Sequence, residues 1–320
     1  MTSPEHIEYD EFGLFHENAS EFELPCPPDL VVDRVDVQVE PGYQLSALVW
    51  GDGDPELVLL HGGSQNAHTW DTVALALYPR PLVAIDLPGH GHSDRRAGGS
   101  HGGSSPQTAA EDIAVVIRAL APDAQAVVGM SFGGLVTIVL ADIAPELVRR
   151  VVLVDVLPGL DFAHARHISD FVDGPPTFPS FDDILARTVE FNPTRSESSL
   201  RRGILHNALQ LDDGSWVWRH SRWRLETDTD ADTETEPIAV TTTAPDGSLF
   251  NDLQDTLGRI DAPVLLARGL RSNSVLRDAD ETEFRRRLPS GQVVHFAEAG
   301  HSIQGDMPVE LATTITSFSS

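Results

Sequence analysis

The chain reads as an α/β protein: a mostly parallel central sheet with helices on both faces and an inserted, mainly helical cap. Three observations lead there. Continuous apolar runs at Leu57-Val58-Leu59-Leu60, Leu82-Val83-Ala84-Ile85, Ala126-Val127-Val128, Val151-Val152-Leu153-Val154 and Val264-Leu265-Leu266-Ala267 have the composition of strands buried on both faces. Helical patterns lie between them, at Ala74–Tyr78, Ala109–Leu120, Leu135–Ile143 and Asp280–Leu288, and strand alternating with helix implies parallel pairing. One interval, from Pro158 to Asp252, contains no such strand and interrupts the rhythm.

Taken in order, residues 1–34 form an acidic arm in which Tyr9, Phe12, Phe15 and Phe22 are expected on one side of a short helix, packed on the body or over a site mouth. Val35-Asp36-Val37-Gln38-Val39 alternates as a half-buried strand, Pro41-Gly42 turns, and Leu45–Trp50 alternates as its hairpin partner. The α/β core then occupies 35–158 and 253–320. The interval 159–252 is read as the cap, with amphipathic segments at Ala163–Val172, Phe181–Phe191 and Ser198–Leu209, followed by Ser215-Trp216-Val217-Trp218-Arg219. Within it, Thr227–Thr243 is a low-complexity Thr/Asp/Glu run expected to be a mobile loop.

Composition removes several function classes. The net charge is −27 and all 22 basic residues are arginine, so the surface repels nucleic acid and anionic lipid. The single cysteine, Cys26, excludes a disulfide framework and a thiolate metal site. No apolar stretch reaches the roughly 18 residues needed to span a bilayer, and Met1–Glu11 is polar with no apolar run of the signal-peptide kind. A soluble cytoplasmic protein, with no membrane and no nucleic-acid partner, is expected.

The chemistry gathers at strand ends, as it does in parallel sheets. The run Ala126–Val128 leads into Gly129-Met130-Ser131-Phe132-Gly133-Gly134 and then an apolar helix. A serine flanked by glycines two residues to either side suits a strained strand-to-helix turn that lifts the hydroxyl above the sheet, which is a nucleophile's position. Leu57–Leu60 ends in His61-Gly62-Gly63-Ser64-Gln65-Asn66, where small residues leave the Gly63 N–H free to point at an oxyanion. Leu82–Ile85 ends in Asp86-Leu87-Pro88-Gly89-His90-Gly91-His92-Ser93, and Val293-Val294-His295-Phe296 leads to Ala299-Gly300-His301-Ser302.

These four motifs, in this order, resemble the α/β-hydrolase superfamily over Val35–Pro158 and Ala262–Ser320. The resemblance implies that Ser131 is the nucleophile, His301 the general base, and the backbone N–H groups of Gly63 and Phe132 the oxyanion hole. Independently of it, a serine hydroxyl needs an imidazole to take its proton, and His301 lies beyond a strand end where it can reach one. The acid departs from the commoner pattern. The loop after Val264–Ala267, where most of the superfamily carries it, reads Arg268-Gly269-Leu270-Arg271-Ser272-Asn273-Ser274-Val275 and holds no carboxylate. A minority branch places the acid at the end of the preceding strand, here Asp155. Asp278 is the alternative, although Asp278 with Glu281 reads as a helix-capping box.

The remaining candidates carry structural readings. His61 is expected to brace the oxyanion loop through its ring nitrogens, and Asp86, Gly89 and Gly91 to shape a turn. His90, His92 and His101 share one Gly/Ser-rich loop with no recurring acidic or cysteine ligand, so no metal site is expected. Trp70, Trp216, Trp218 and Trp223 pack the interior or line an apolar pocket, and His206 is an ordinary cap residue.

The expected function is therefore a serine hydrolase that cleaves a carboxylic ester or lactone of a largely apolar small molecule through an acyl-enzyme, with no cofactor. The aromatic residues Phe171, Phe178 and Phe181 of the cap suggest the apolar preference. Serine at 131 disfavours the dehalogenase and epoxide-hydrolase chemistries of the superfamily, which use aspartate there. Hydrolysis of a carbon–carbon bond in a vinylogous diketone on the same triad is one alternative, and a non-catalytic ligand receptor of the same fold is another.

Overall fold

In the computed structural model, the described residues are 6–96, 105–159, 174–175, 177–192, 195–221 and 248–320, with backbone alone at 221 and 248–251. Eight strands form the main sheet in the order β1-β2-β4-β3-β5-β6-β10-β11. These are β1 (Val32–Glu40), β2 (Tyr43–Trp50), β3 (Leu57–Leu60), β4 (Leu82–Ile85), β5 (Ala126–Met130), β6 (Val151–Val154), β10 (Val264–Gly269) and β11 (Gln292–Phe296). β2 runs antiparallel to β1 and β4, and every other neighbouring pair is parallel. The hairpin turns at Gly42, whose φ of 77° suits a residue without a side chain.

The apolar runs are continuous because each strand feeds two cores. Val58 and Leu60 of β3 join a cluster on one face, while Leu57 and Leu59 join a cluster on the other. β6 divides in the same way, with Val151 and Leu153 on one face and Val152 and Val154 on the other. The first face is covered by α3 (Pro106–Leu120), α4 (Phe132–Ile143), α7 (Ser248–Leu257) and α8 (Asp278–Arg287). The second is covered by α1 (Phe15–Glu21), α2 (Asp71–Leu77) and, near the C-terminus, α9 (Ile303–Asp306) and α10 (Pro308–Phe318). α7 begins five residues before the core boundary expected at 253 and packs on α4. No helix among the described residues is long and apolar enough to cross a membrane.

Within 159–252 the described residues hold α5 (Phe181–Phe191), α6 (Glu197–Asn207) and a small antiparallel sheet of β7 (Thr177–Phe178), β9 (Trp216–Trp218) and β8 (Ala208–Gln210). The helices match two of the amphipathic segments. The sheet was not foreseen, because strands of two or three residues are too short for period-2 alternation to register. Trp216, Trp218 and Phe178 pack with Ile184, Ile204 and Leu205 in a core of their own, and Trp70 is fully buried in the main body. Ala163–Val172, Phe171, Trp223, Thr227–Thr243 and His101 lie outside the described residues.

The N-terminal arm ties the two parts together. Among the described residues of the arm, only Phe15–Glu21 is helical. Phe15 packs against Trp50 at a tilt, with ring centroids 4.7 Å apart, whereas Ile7, Tyr9 and Leu14 pack on the small core of the 177–218 region. Phe12 stays exposed, so the four aromatics do not share one face.

Candidate active site

Ser131 sits between β5 and α4 with φ 50° and ψ −119°, a conformation that costs a non-glycine residue on the order of 1–3 kcal/mol. The flanking glycines make the turn possible. A Cβ on Gly133 would meet the carbonyl oxygens of Leu60 and His61, and one on Gly129 would meet the Gly133 carbonyl and the Thr137 hydroxyl. The helix backbone therefore lies directly against β3 and β5, with the Gly133 N–H donating to His61 O at 3.1 Å. The Phe132 N–H opens α4, where the helix dipole favours negative charge.

The loop after β3 brings Gly63 beside this turn. The Cβ direction of Gly63 points toward Phe132 Cβ, 4.0 Å away. Among the described residues, neither the Gly63 nor the Phe132 N–H has an acceptor. His61 is fully buried; its Nε2 accepts from the Leu87 N–H at 2.9 Å, which leaves Nδ1 to donate to Gly62 O at 2.7 Å. Burial, then the neighbouring His90, pushes its pKa down to about 3, so it is a neutral brace across the β3 and β4 loops. His90 holds the next residue, with Nε2 accepting from the Ser64 N–H at 3.0 Å. Asp86 accepts from the Ala67 N–H at 2.7 Å, the His92 N–H at 3.0 Å and Arg34 at 2.9 Å, which accounts for its place in the turn.

His301 follows β11, and its Nδ1 lies 3.0 Å from Asp155 Oδ2. Asp155 follows β6 directly, has φ 47° and is fully buried. The acid-free loop after β10 serves this carboxylate instead of supplying one. Oδ1 accepts from the Gly269 N–H at 3.0 Å and the Ser274 hydroxyl at 2.7 Å, and Oδ2 accepts from the Val275 N–H at 3.2 Å. A Cβ on Gly269 would strike the Gly300 carbonyl, so the β10 loop and the histidine loop are packed backbone to backbone.

Asp278 does not approach the histidine. Its side chain is 99% exposed and pairs with Arg268 at 2.7 Å. The capping interaction at α8 is also one residue earlier than expected: the Asp280 carboxylate accepts from the Arg277 N–H at 2.7 Å. That shift leaves Asp278 on the first turn facing solvent and Arg268.

A second buried polar cluster was missed by sequence reasoning. His68 and Asp71 follow the Gly63 loop, and His206 ends α6 in the other part of the chain. The His68 and His206 rings stack 3.8 Å apart at 12°, and His68 Nδ1 and Nε2 face Asp71 Oδ2 at 2.9 Å and Glu11 Oε1 at 3.1 Å. His206 Nδ1 is 2.8 Å from the Tyr9 hydroxyl. Burial lowers the His68 pKa, but Asp71 and Glu11 outweigh it and raise the pKa to about 9, so the ring is a cation near neutrality. Burial raises the Asp71 carboxyl while the His68 charge pulls it back. His206 stays neutral, held well below its ordinary pKa by burial and by the His68 charge. The metal-binding atoms of His68, Asp71 and His206 lie within 4.8 Å of one another. Parallel rings do not aim their in-plane lone pairs at one point, however, and both His68 nitrogens face carboxylates, so the geometry is that of a buried ion pair. The only signal in the sequence was the H-x-x-D spacing at 68 and 71, too common to single out.

Comparison with known proteins agrees with this architecture. The α/β hydrolase fold family model matches residues 55–308. The chain is 41% identical over 307 residues to the esterase Rv0045c of Mycobacterium tuberculosis, covering 93% of this chain and 92% of that one. The crystal structure of that esterase superposes with a TM-score of 0.78 at 39% identity, over 98% of this chain and 99% of the other. At 26% identity over 283 residues, the chain is also similar to the sn-1-specific diacylglycerol lipase ABHD11 of Danio rerio, covering 84% of this chain and 79% of that protein. Sheet order, serine turn and matching family together place this chain in the α/β-hydrolase family, as a hydrolase.

Proposed function

We propose that the protein is a serine esterase acting on a neutral, largely apolar small-molecule ester, with Ser131 as nucleophile, His301 as general base, Asp155 as the acid and the Gly63 and Phe132 amides as the oxyanion hole. The observation that carries the reading is the 3.0 Å contact between His301 Nδ1 and the buried Asp155 carboxylate, on the same sheet edge as a serine in a strained turn. The similarity to an esterase supports the ester, and the surface charge of −27 disfavours anionic substrates. The interval 159–252 acts as the cap that limits substrate size.

In this mechanism the Ser131 hydroxyl oxygen bonds to the ester carbonyl carbon while its proton passes to His301 Nε2, the nitrogen that does not face Asp155. The carbonyl oxygen becomes an oxyanion held by the two free amides. Collapse breaks the carbon–oxygen bond, and His301 returns the proton to the departing alcohol. Water, deprotonated by His301, then attacks the acyl-Ser131 carbonyl; collapse breaks the bond from the acyl carbon to the Ser131 oxygen, His301 returns the proton to that oxygen, and the carboxylic acid is released. Asp155 keeps the Nδ1–H tautomer and stabilises the imidazolium.

A fluorophosphonate probe tests the assignment. Labelling of the wild type and its loss in Ser131→Ala is the expected result; an unlabelled wild type, or a labelled mutant, refutes it. A panel of p-nitrophenyl esters of rising chain length, lactones and a vinylogous diketone then defines the substrate, with esters expected to be turned over fastest.

A further inference from the structure

The Gly63 amide is held from both sides, and one of the holds comes from α6. A peptide unit is planar and trans, so fixing its carbonyl fixes the N–H on the opposite side. The unit carrying the Gly63 N–H is fixed through Gly62 O, which accepts from His61 Nδ1 at 2.7 Å. The next unit is fixed through the Ser64 N–H on His90 Nε2 at 3.0 Å. The third is fixed through Ser64 O, which accepts from the Asn207 side-chain amide at 2.7 Å. Ser64 itself has φ 62°, a left-handed conformation that a serine does not keep without such restraints.

The contact is reciprocal. Asn66, from the loop, donates through Nδ2 to His206 O at 2.8 Å and to Asn207 Oδ1 at 3.3 Å. Its own Oδ1 accepts from the His68 N–H at 3.0 Å and caps the short helix that follows. Each partner's side chain thus grips the other's backbone. Two of the three peptide units around Gly63 are set by the core; the third is held at its N–H by the loop itself, Gln65 donating to Gly62 O at 3.3 Å, and at its carbonyl by Asn207.

We propose that Asn207 is a positioning residue through which the cap sets the oxyanion loop, so that the Gly63 amide is aimed for catalysis only when α6 is seated on Ser64 and Asn66. The proposal rests on the serine-esterase reading above. Asn207 makes no contact with the reacting atoms; it acts through the Ser64 carbonyl. Its loss returns Ser64 toward ordinary backbone conformations and turns Gly63 with it. The ceiling on the effect is the loss of one oxyanion donor, about 10²–10³ in kcat.

The test is Asn207→Asp, which keeps the shape but cannot donate to Ser64 O, with Asn207→Ala beside it should the aspartate impair folding. The readouts are kcat and KM for the best ester, and inhibition by the corresponding trifluoromethyl ketone, whose adduct with Ser131 is an oxyanion, and by the corresponding amide, which binds without forming one. The expected result is a 10- to 100-fold fall in kcat with KM within about threefold, a matching loss of trifluoromethyl-ketone affinity, and unchanged amide affinity. Wild-type kcat and ketone affinity in both variants overturns the proposal, as does an equal loss of ketone and amide affinity, which marks Asn207 as packing alone. Ser131-dependent labelling of the wild type by fluorophosphonate is measured in parallel. If it is present, a negative result with Asn207 counts against the positioning role only; if it is absent, the esterase reading itself falls.

Discussion

His301 Nδ1 lies 3.0 Å from Asp155 Oδ2, across 146 positions of sequence, and the same carboxylate accepts two backbone amides and a serine hydroxyl. Those three donors lock the carboxylate, and the locked carboxylate orients the imidazole. In the proposed mechanism Asp155→Asn presents an amide to Nδ1 and favours the wrong tautomer. We expect kcat to fall by about 10³–10⁴, as in the serine-protease type case. Asp278→Asn, at a 99% exposed side chain, should leave kcat within about twofold. Steady-state kinetics of both variants, with circular dichroism to check folding, decides the matter.

Gly133→Ala should unfold or severely destabilise the protein. The new methyl would overlap the Leu60 and His61 carbonyl oxygens, which belong to backbone and cannot swing aside. Overpacking of this kind costs about 1–3 kcal/mol and more where the neighbour is rigid. A fall in Tm of several degrees is the expected reading in a thermal melt, and an unchanged Tm would contradict the packing described.

His61→Ala removes the neutral brace between Gly62 O and the Leu87 N–H. It leaves one buried donor unsatisfied, at about 1–3 kcal/mol, and loosens the Gly63 peptide unit, whose carbonyl keeps only the Gln65 N–H at 3.3 Å. The expected outcome is a tenfold or larger loss of kcat along with a lowered Tm. With the His61 pKa near 3, its protonation plays no part in the activity profile above about pH 5, and the profile of a residually active variant should keep the wild-type shape there.

The His68 cluster predicts a pH-dependent stability. Its folded pKa, raised to about 9, exceeds the ordinary value of 6.5. The added stability is therefore fully present below about pH 6.5 and is lost as pH rises through 9. Thermal melts of the wild type across that window should show a fall in Tm that His68→Gln abolishes. Equal slopes in both proteins would refute the imidazolium assignment.

Much of the fold was legible because its strands are buried on both faces, so the runs at Leu57, Leu82, Val151 and Val264 are apolar without interruption. The serine turn was legible for a local reason: Gly129 and Gly133 are required by contacts within a few residues or with the adjacent strand. The short strands near Trp216 were not, since two or three residues carry no period. His206 read as an ordinary cap residue because nothing nearby in sequence marks it, and its stacking on His68 depends on how α6 seats against the loop after β3.

By itself, then, the sequence determined the α/β architecture, the glycine-flanked serine turn, the histidine after the last strand, and the absence of a carboxylate from the loop after β10. Those are properties of composition and local spacing. Only the tertiary structure decided which carboxylate meets His301, that Ser274 and two amides cradle it, and that Asn207 reaches Ser64. Each of these joins residues more than a hundred positions apart, and such contacts are set by how loops at neighbouring strand ends pack, which no window of sequence contains.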